Sequence, residues 1–228
     1  MYRGDPAPAV YRSRSAAMPS KNPDLHGNVP DSSPVVLVLI DVINDLEFEG
    51  GEALAAQALP MAERLAALTR RARKAGVAVV YVNDNFGKWR SDFRRQLEHV
   101  LRDGVRGQRL AELLAPEEDD YFVLKPKHSG FYSTTLDTLL DYLQARTLVL
   151  TGLTTNSCVL FTASDAYMRD LAIVVPEDCV AAQTPEEHAH ALQQMRVLLK
   201  ADTTPSTKVD FAALARDSVE ARGQGRAT

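Results

Sequence analysis

Val35-Val-Leu-Val-Leu-Ile40 is an unbroken run of β-favouring residues, and a strand with no polar side must be covered on both faces, as strands of parallel sheets are. The residues after it change period. Leu54, Met61, Leu65, Leu68 and Ala72 recur at helical spacing. Gly76 stands where a C-terminal helix cap belongs, and Pro60 predicts a kink or a first helical turn. Strand-like runs return at 77–82, 121–125, 147–151 and 172–175. Between them, a polar and aromatic stretch from Asn83 to Phe93 leads into a helix ending near Leu101, and Leu136, Leu139, Leu140 and Leu143 form one helical face. A further helix is predicted from about Cys158 to Arg169. Thr184-Pro-Glu-Glu187 is a capping box with proline at the first helical position, opening a helix to about Lys200. Strands alternating with helices through right-handed crossovers predict a three-layer α/β/α, doubly wound, mainly parallel sheet of Rossmann-like type.

The ends read differently. Residues 1–33 carry Pro6, Pro8, Pro19, Pro23 and Pro30 among polar residues and predict an extended tail; 218–228 are expected to be a second tail, leaving one domain over 34–217. A chain of 228 residues, 45% hydrophobic and 25% charged, suits one such domain. Its net charge of -4 gives no footprint for nucleic acid. No apolar run reaches membrane-spanning length, and the first residues carry no secretory pattern. Two cysteines are too few for a disulfide framework, so a reducing cytoplasm and a free, reactive thiol are expected.

In doubly wound sheets the ligand lies beyond the carboxyl ends of the strands. Asp41 follows the first run, Lys125 ends the third, and Gly152-Leu-Thr-Thr-Asn-Ser-Cys158 follows the fourth. Each has a bland explanation: a helix cap or turn residue, a solvated strand end, a small buried hydrophobe. Together they place an acid, a base and a thiol at one cleft.

Three segments carry a resemblance: Asp41-Val-Ile-Asn-Asp45, Lys125-Pro-Lys-His-Ser129-Gly-Phe131 and Gly152-Leu-Thr-Thr-Asn-Ser-Cys158-Val159. They resemble, in order, the motifs of the isochorismatase-like cysteine hydrolases, nicotinamidases and N-carbamoylsarcosine amidohydrolases among them. The stretches Thr162-Ala-Ser-Asp-Ala166 and Val174-Val-Pro-Glu-Asp-Cys179 are also similar to the family. The resemblance implies that Asp41, Lys125 and Cys158 are the catalytic triad, that the backbone N–H groups of Thr154 and Cys158 hold an oxyanion, and that the Leu153–Thr154 peptide is cis.

On physical grounds, unpaired N–H groups at a helix start and the Lys125 ammonium favour thiolate at Cys158. The expected activity is hydrolysis of a small amide or carbamoyl compound through a thioester, acting on C–N bonds other than peptide bonds and without a cofactor. The alternatives are cleavage of a vinyl ether with Asp41 as acid, or a non-catalytic binding domain on the same scaffold.

The nicotinamidase branch carries a metal site of Asp and two His after the second strand. This chain reads Asn83-Asp84-Asn85-Phe86-Gly87-Lys88-Trp89 there, and His26, His99, His128, His188 and His190 all lie elsewhere. No metal is therefore expected. Asp84, Asn85, Phe86, Trp89 and Phe131 are candidate substrate contacts, with solvated turns or aromatic packing as the alternative. Ile43, Leu46 and Asn156 stand where the family often has Gln, Phe and Asp. Cys179 is read as structural. The family analogy implies a homodimer or homotetramer.

Overall fold

The computed structural model of the chain describes residues 32–85 and 92–224. Strand β1, Val35–Ile40, is completely buried. It pairs in parallel with β2, Ala78–Asp84, on one side and β4, Thr147–Leu153, on the other. β3, Tyr121–Lys125, continues the sheet beyond β2, and β5, Ala172–Val174, continues it beyond β4. The short β6, Val180–Ala181, pairs with the end of β4 past β5. The six-stranded order is β3-β2-β1-β4-β5 with β6 alongside β4, and every pairing is parallel.

Alternate residues of the strands point to opposite faces, and each face carries its own core. Val35, Leu37 and Leu39 meet α1, Gly51–Lys74, with α2, Phe93–Arg102, α3, Gln108–Leu113, and Phe211 of α7, Phe211–Gln224. Val36, Val38 and Ile40 meet α4, Leu136–Tyr142, α5, Leu160–Tyr167, and α6, Pro185–Leu198. Helices on both faces of a parallel sheet make the three-layer architecture expected from the alternating pattern.

Gly76 does cap α1. It has φ +70°, the Val77 N–H reaches the Ala72 carbonyl at 3.0 Å, and the Gly76 N–H reaches Arg73 at 3.0 Å, the paired bonds of a left-handed helix stop. Pro60, by contrast, lies inside α1 and is exposed. On a solvated face the carbonyl deprived of its N–H partner is left to water, which lets the helix continue.

The stretch expected to be a tail from Ser218 is helical as far as it is described. α7 continues to Gln224, and Ser218 is buried with its hydroxyl 2.8 Å from that of Thr147 at the start of β4. From Ser218 on, the segment holds a single large apolar residue, Val219, and so gives little apolar periodicity to read. The first 31 residues lie outside the described part, whereas Ser33 is already built into the fold, its N–H on the Leu143 carbonyl at 2.7 Å and its hydroxyl on Val35.

The strand order reverses between β1 and β4: the chain runs outward through β2 and β3 on one side and through β5 on the other. A crevice opens at such a point, beyond the carboxyl ends of the two strands. Gly152 lets the strands come together there. It has φ +101°, and a Cβ on it would lie 2.1 Å from the Ile40 carbonyl oxygen, so only glycine fits.

Candidate active site

Asp41 follows β1 directly, with φ 51°, a left-handed conformation that aspartate tolerates better than most residues. Its N–H continues the ladder to the Val82 carbonyl at 2.9 Å. Its Oδ1 accepts from the Asp84 N–H at 2.7 Å, and its Oδ2 lies 2.8 Å from Lys125 Nζ. Lys125 comes from the end of β3, two strands away. Strands are spaced by about 4.8 Å, so the gap of about 10 Å is bridged jointly by the long lysine stem, the 2.8 Å contact and the Asp41 side chain. That stem is fully buried: the Lys125 side chain is 0% exposed and that of Asp41 7%.

Lys125 Nζ also lies 3.4 Å from Asp84 Oδ2, at the end of β2, and 3.5 Å from Cys158 Sγ. The ammonium therefore sits among two carboxylates and the thiol, and Asp41 is near enough to Cys158 for each to shift the other's titration.

Cys158 belongs to a π-helical turn, Thr155–Val159, where the Val159 N–H reaches back to the Thr154 carbonyl at 3.2 Å. The regular helix predicted to begin near Cys158 begins at Leu160 instead. The Leu153–Thr154 peptide before the turn is cis. Thr162, buried on α5, donates to the Cys158 carbonyl at 2.7 Å and accepts from the Gly130 N–H at 2.9 Å. Ser129 donates to the Asp165 carboxylate and accepts from the Phe131 N–H at 3.1 Å. The Ser129–Phe131 segment and the Thr162–Ala166 segment are thus one device, fastening the loop after Lys125 to the helix after Cys158.

The electrostatics differ in one respect from expectation. Burial pushes the Cys158 thiol up to about 12, and the neighbouring Asp41 carboxylate pushes the same way; Lys125 offsets them only in part. Burial also raises Asp41 against the pull of Lys125 and its hydrogen bonds. For Lys125, burial opposes the charge, but Asp41 and Cys158 outweigh it and hold the ammonium above its ordinary value. The shift at Cys158 therefore runs toward the thiol, against the thiolate expected from the sequence. The sequence showed the cation but not the depth of burial, and desolvation disfavours the charged form.

Of the candidate substrate contacts, Asp84 stands at the site, its carbonyl held by Gln96 Nε2 at 2.8 Å. Asn85 is buried beside it, its N–H on the Lys125 carbonyl at 3.0 Å. Phe131 is placed in the apolar core with the Arg169 guanidinium 4.3 Å above its ring. Phe86 and Trp89 lie outside the described residues. Ile43 and Leu46 are buried in the core on the α1 side, and the Ile43 carbonyl accepts from Asn83 Nδ2 at 2.6 Å.

One neighbour of the sulfur was missed. His128 Nδ1 lies 3.9 Å from Cys158 Sγ and 3.4 Å from Ser157 Oγ, with its ring 5.5 Å from that of Phe161. Its place three residues after a strand-end lysine was the available signal. Among the described residues no group of three or more His, Cys, Asp or Glu side chains is arranged to hold a metal ion. No helix among them is long and apolar enough to cross a membrane.

Residues 35–207 match the family model described as the isochorismatase domain. The chain belongs to the isochorismatase family. Within it, the chain is 38% identical over 173 residues to the uncharacterized isochorismatase family protein YaaI of Bacillus subtilis, covering 76% of this chain and 94% of that protein. It is 30% identical over 217 residues to the ureidoacrylate amidohydrolase RutB of Methylorubrum extorquens, covering 78% and 83%. Among solved structures of the isochorismatase fold, N-carbamoylsarcosine amidase from Thermoplasma acidophilum superposes with a TM-score of 0.61 at 29% identity, over 77% of this chain and 98% of that one. The α/β fold read from the sequence is therefore the isochorismatase fold.

Proposed function

We propose that this protein is a cysteine-dependent hydrolase of a small amide or carbamoyl-type substrate, with Asp41, Lys125 and Cys158 as its catalytic residues. The observation that carries the reading is the position of Lys125 Nζ, 2.8 Å from Asp41 and 3.5 Å from Cys158 Sγ. The similarity to an amidohydrolase and an amidase supports the same chemistry.

A thiol that rests protonated must lose its proton as it attacks. Asp41, close to it and made more basic by burial, takes that proton while Sγ bonds to the substrate carbonyl carbon. The backbone N–H groups of Thr154 and Cys158, at the turn after β4, are the donors assigned to the oxyanion. As the intermediate collapses, the C–N bond breaks and Asp41 returns the proton to the leaving amine. Water then attacks the thioester, giving a proton to Asp41. The C–S bond breaks, and the sulfur recovers its proton from Asp41. Lys125 keeps its charge throughout and offsets the negative charge that moves between sulfur and carboxylate.

The test is a panel of small amides and ureides scored by ammonia release, run with wild type, Cys158→Ala and Cys158→Ser. Turnover by wild type with a mass increase trapped on Cys158 is the expected result. Full activity in either variant overturns the reading, and ether cleavage surviving both would favour acid catalysis by Asp41.

A further inference from the structure

We propose that His188, acting through Thr155, is a positioning residue that sets the turn carrying the nucleophile. The inference rests on the reading of Cys158 as that nucleophile. Thr155 opens the π-helical turn and is fully buried. Its hydroxyl lies 3.0 Å from His188 Nδ1. His188 is half-buried near the start of α6, the helix packed against this turn. Burial lowers its basicity below the ordinary histidine value, with the Glu177 carboxylate opposing, so the ring favours the neutral form, which keeps one nitrogen as an acceptor.

The turn is therefore held by a side chain at each end: His188 grips Thr155 at its start, and Thr162 grips the Cys158 carbonyl at 2.7 Å. Between the two grips lie the sulfur, whose aim at a carbonyl carbon decides the rate, and the Cys158 N–H, which faces the carbonyl oxygen. A π-helical turn closes wider rings than an α-helix and needs such outside support. A buried hydroxyl that loses its partner seeks another and carries its backbone with it. A shift of about 1 Å at a reacting atom costs about 100-fold in rate.

His188→Ala and Thr155→Val are expected to lower kcat by about 10- to 100-fold with KM changed less than about threefold. Both should slow iodoacetamide labelling of Cys158, read by mass spectrometry of the full chain. The double variant should be no slower than either single one, because both remove the same bond. His188→Asn places a polar atom where Nδ1 was and should restore most of the rate. His190→Ala, exposed on the same helix, should match wild type.

Wild-type labelling and turnover in His188→Ala would overturn the proposal. So would losses that multiply in the double variant, or a His188→Asn variant as slow as the alanine one. If wild type hydrolyses no amide yet His188→Ala slows labelling at Cys158, the hydrolase reading falls and the grip on the turn stands. If wild type turns over and His188→Ala is unaffected, the grip alone falls.

Discussion

Burial pushes the Cys158 thiol and the Cys179 thiol alike up to about 12. Each also lies beside a carboxylate and a cation, Asp41 and Lys125 for Cys158, Asp178 and Arg64 for Cys179, but the two differ in access. Cys179 closes a short 3-10 turn, Glu177–Cys179, before β6 and is sealed in the core on the α1 side with 0% exposure. The neighbouring Asp178 is occupied with Ser206, accepting from its N–H at 2.6 Å and its hydroxyl at 2.8 Å. Cys158 is partly open and touches both an ammonium and a carboxylate that can take its proton. A thiol's resting titration therefore does not mark it as a nucleophile. What sets Cys158 apart is its partial exposure, with the Lys125 ammonium 3.5 Å from the sulfur.

The largest expected effect breaks the pair apart directly. Cys158→Ala should abolish turnover, on the order of 10^4-fold or more, because the proposed thioester forms on that sulfur. Cys179→Ala should keep kcat within about threefold. Loss of turnover in a folded Cys179→Ala protein would undo the distinction.

Next comes Lys125→Met. Removing the ammonium leaves Asp41 buried without its partner, and Asp41 then takes up a proton and ceases to be a base. A fall in kcat of about 1000-fold is expected, with a loss of up to about 3–5 kcal/mol in urea unfolding. A variant with normal turnover would show that proximity to Lys125 does not separate the two thiols.

The strand ends were the legible part of this site. Each of Asp41, Lys125 and Cys158 follows or closes a run of β-favouring residues, so a doubly wound topology was enough to bring them together. The side-chain network around them was harder to read. His128 and His188 approach the turn from a loop and from another helix, and spacing along the chain says nothing of that approach. The direction of the Cys158 shift depends on burial, which emerges only when the layers pack. In the fold itself, α3 with its six residues and β6 with its two were too short to show a period.

A third effect is a pH dependence. If the resting sulfur is a thiol, kcat/KM should stay level through pH 8–9, where an ordinary cysteine at about 8.5 would ionise. On the acid side the proposed role of Asp41 as base requires its carboxylate, whose folded value is raised. The rate should fall as pH drops, with a midpoint above the ordinary aspartate value of about 3.9. A rise in kcat/KM centred near 8.5 would mean that Cys158 reacts from a preformed thiolate, and the likeness to Cys179 would be lost.

The smallest effect is on stability, and there the two cysteines should trade places. Deleting the Cys179 sulfur leaves a gap in a sealed core, a loss of about 1 kcal/mol and, for a domain of this size, a fall in Tm of about 2–4 °C. Deleting the Cys158 sulfur removes a partly exposed atom pressed against a buried ion pair, so Cys158→Ala should unfold at or above the wild-type temperature. Scanning calorimetry of the two alanine variants at neutral pH reads both values. A Cys158→Ala variant less stable than Cys179→Ala would mean that the sulfur in the cleft supports the fold more than it strains it.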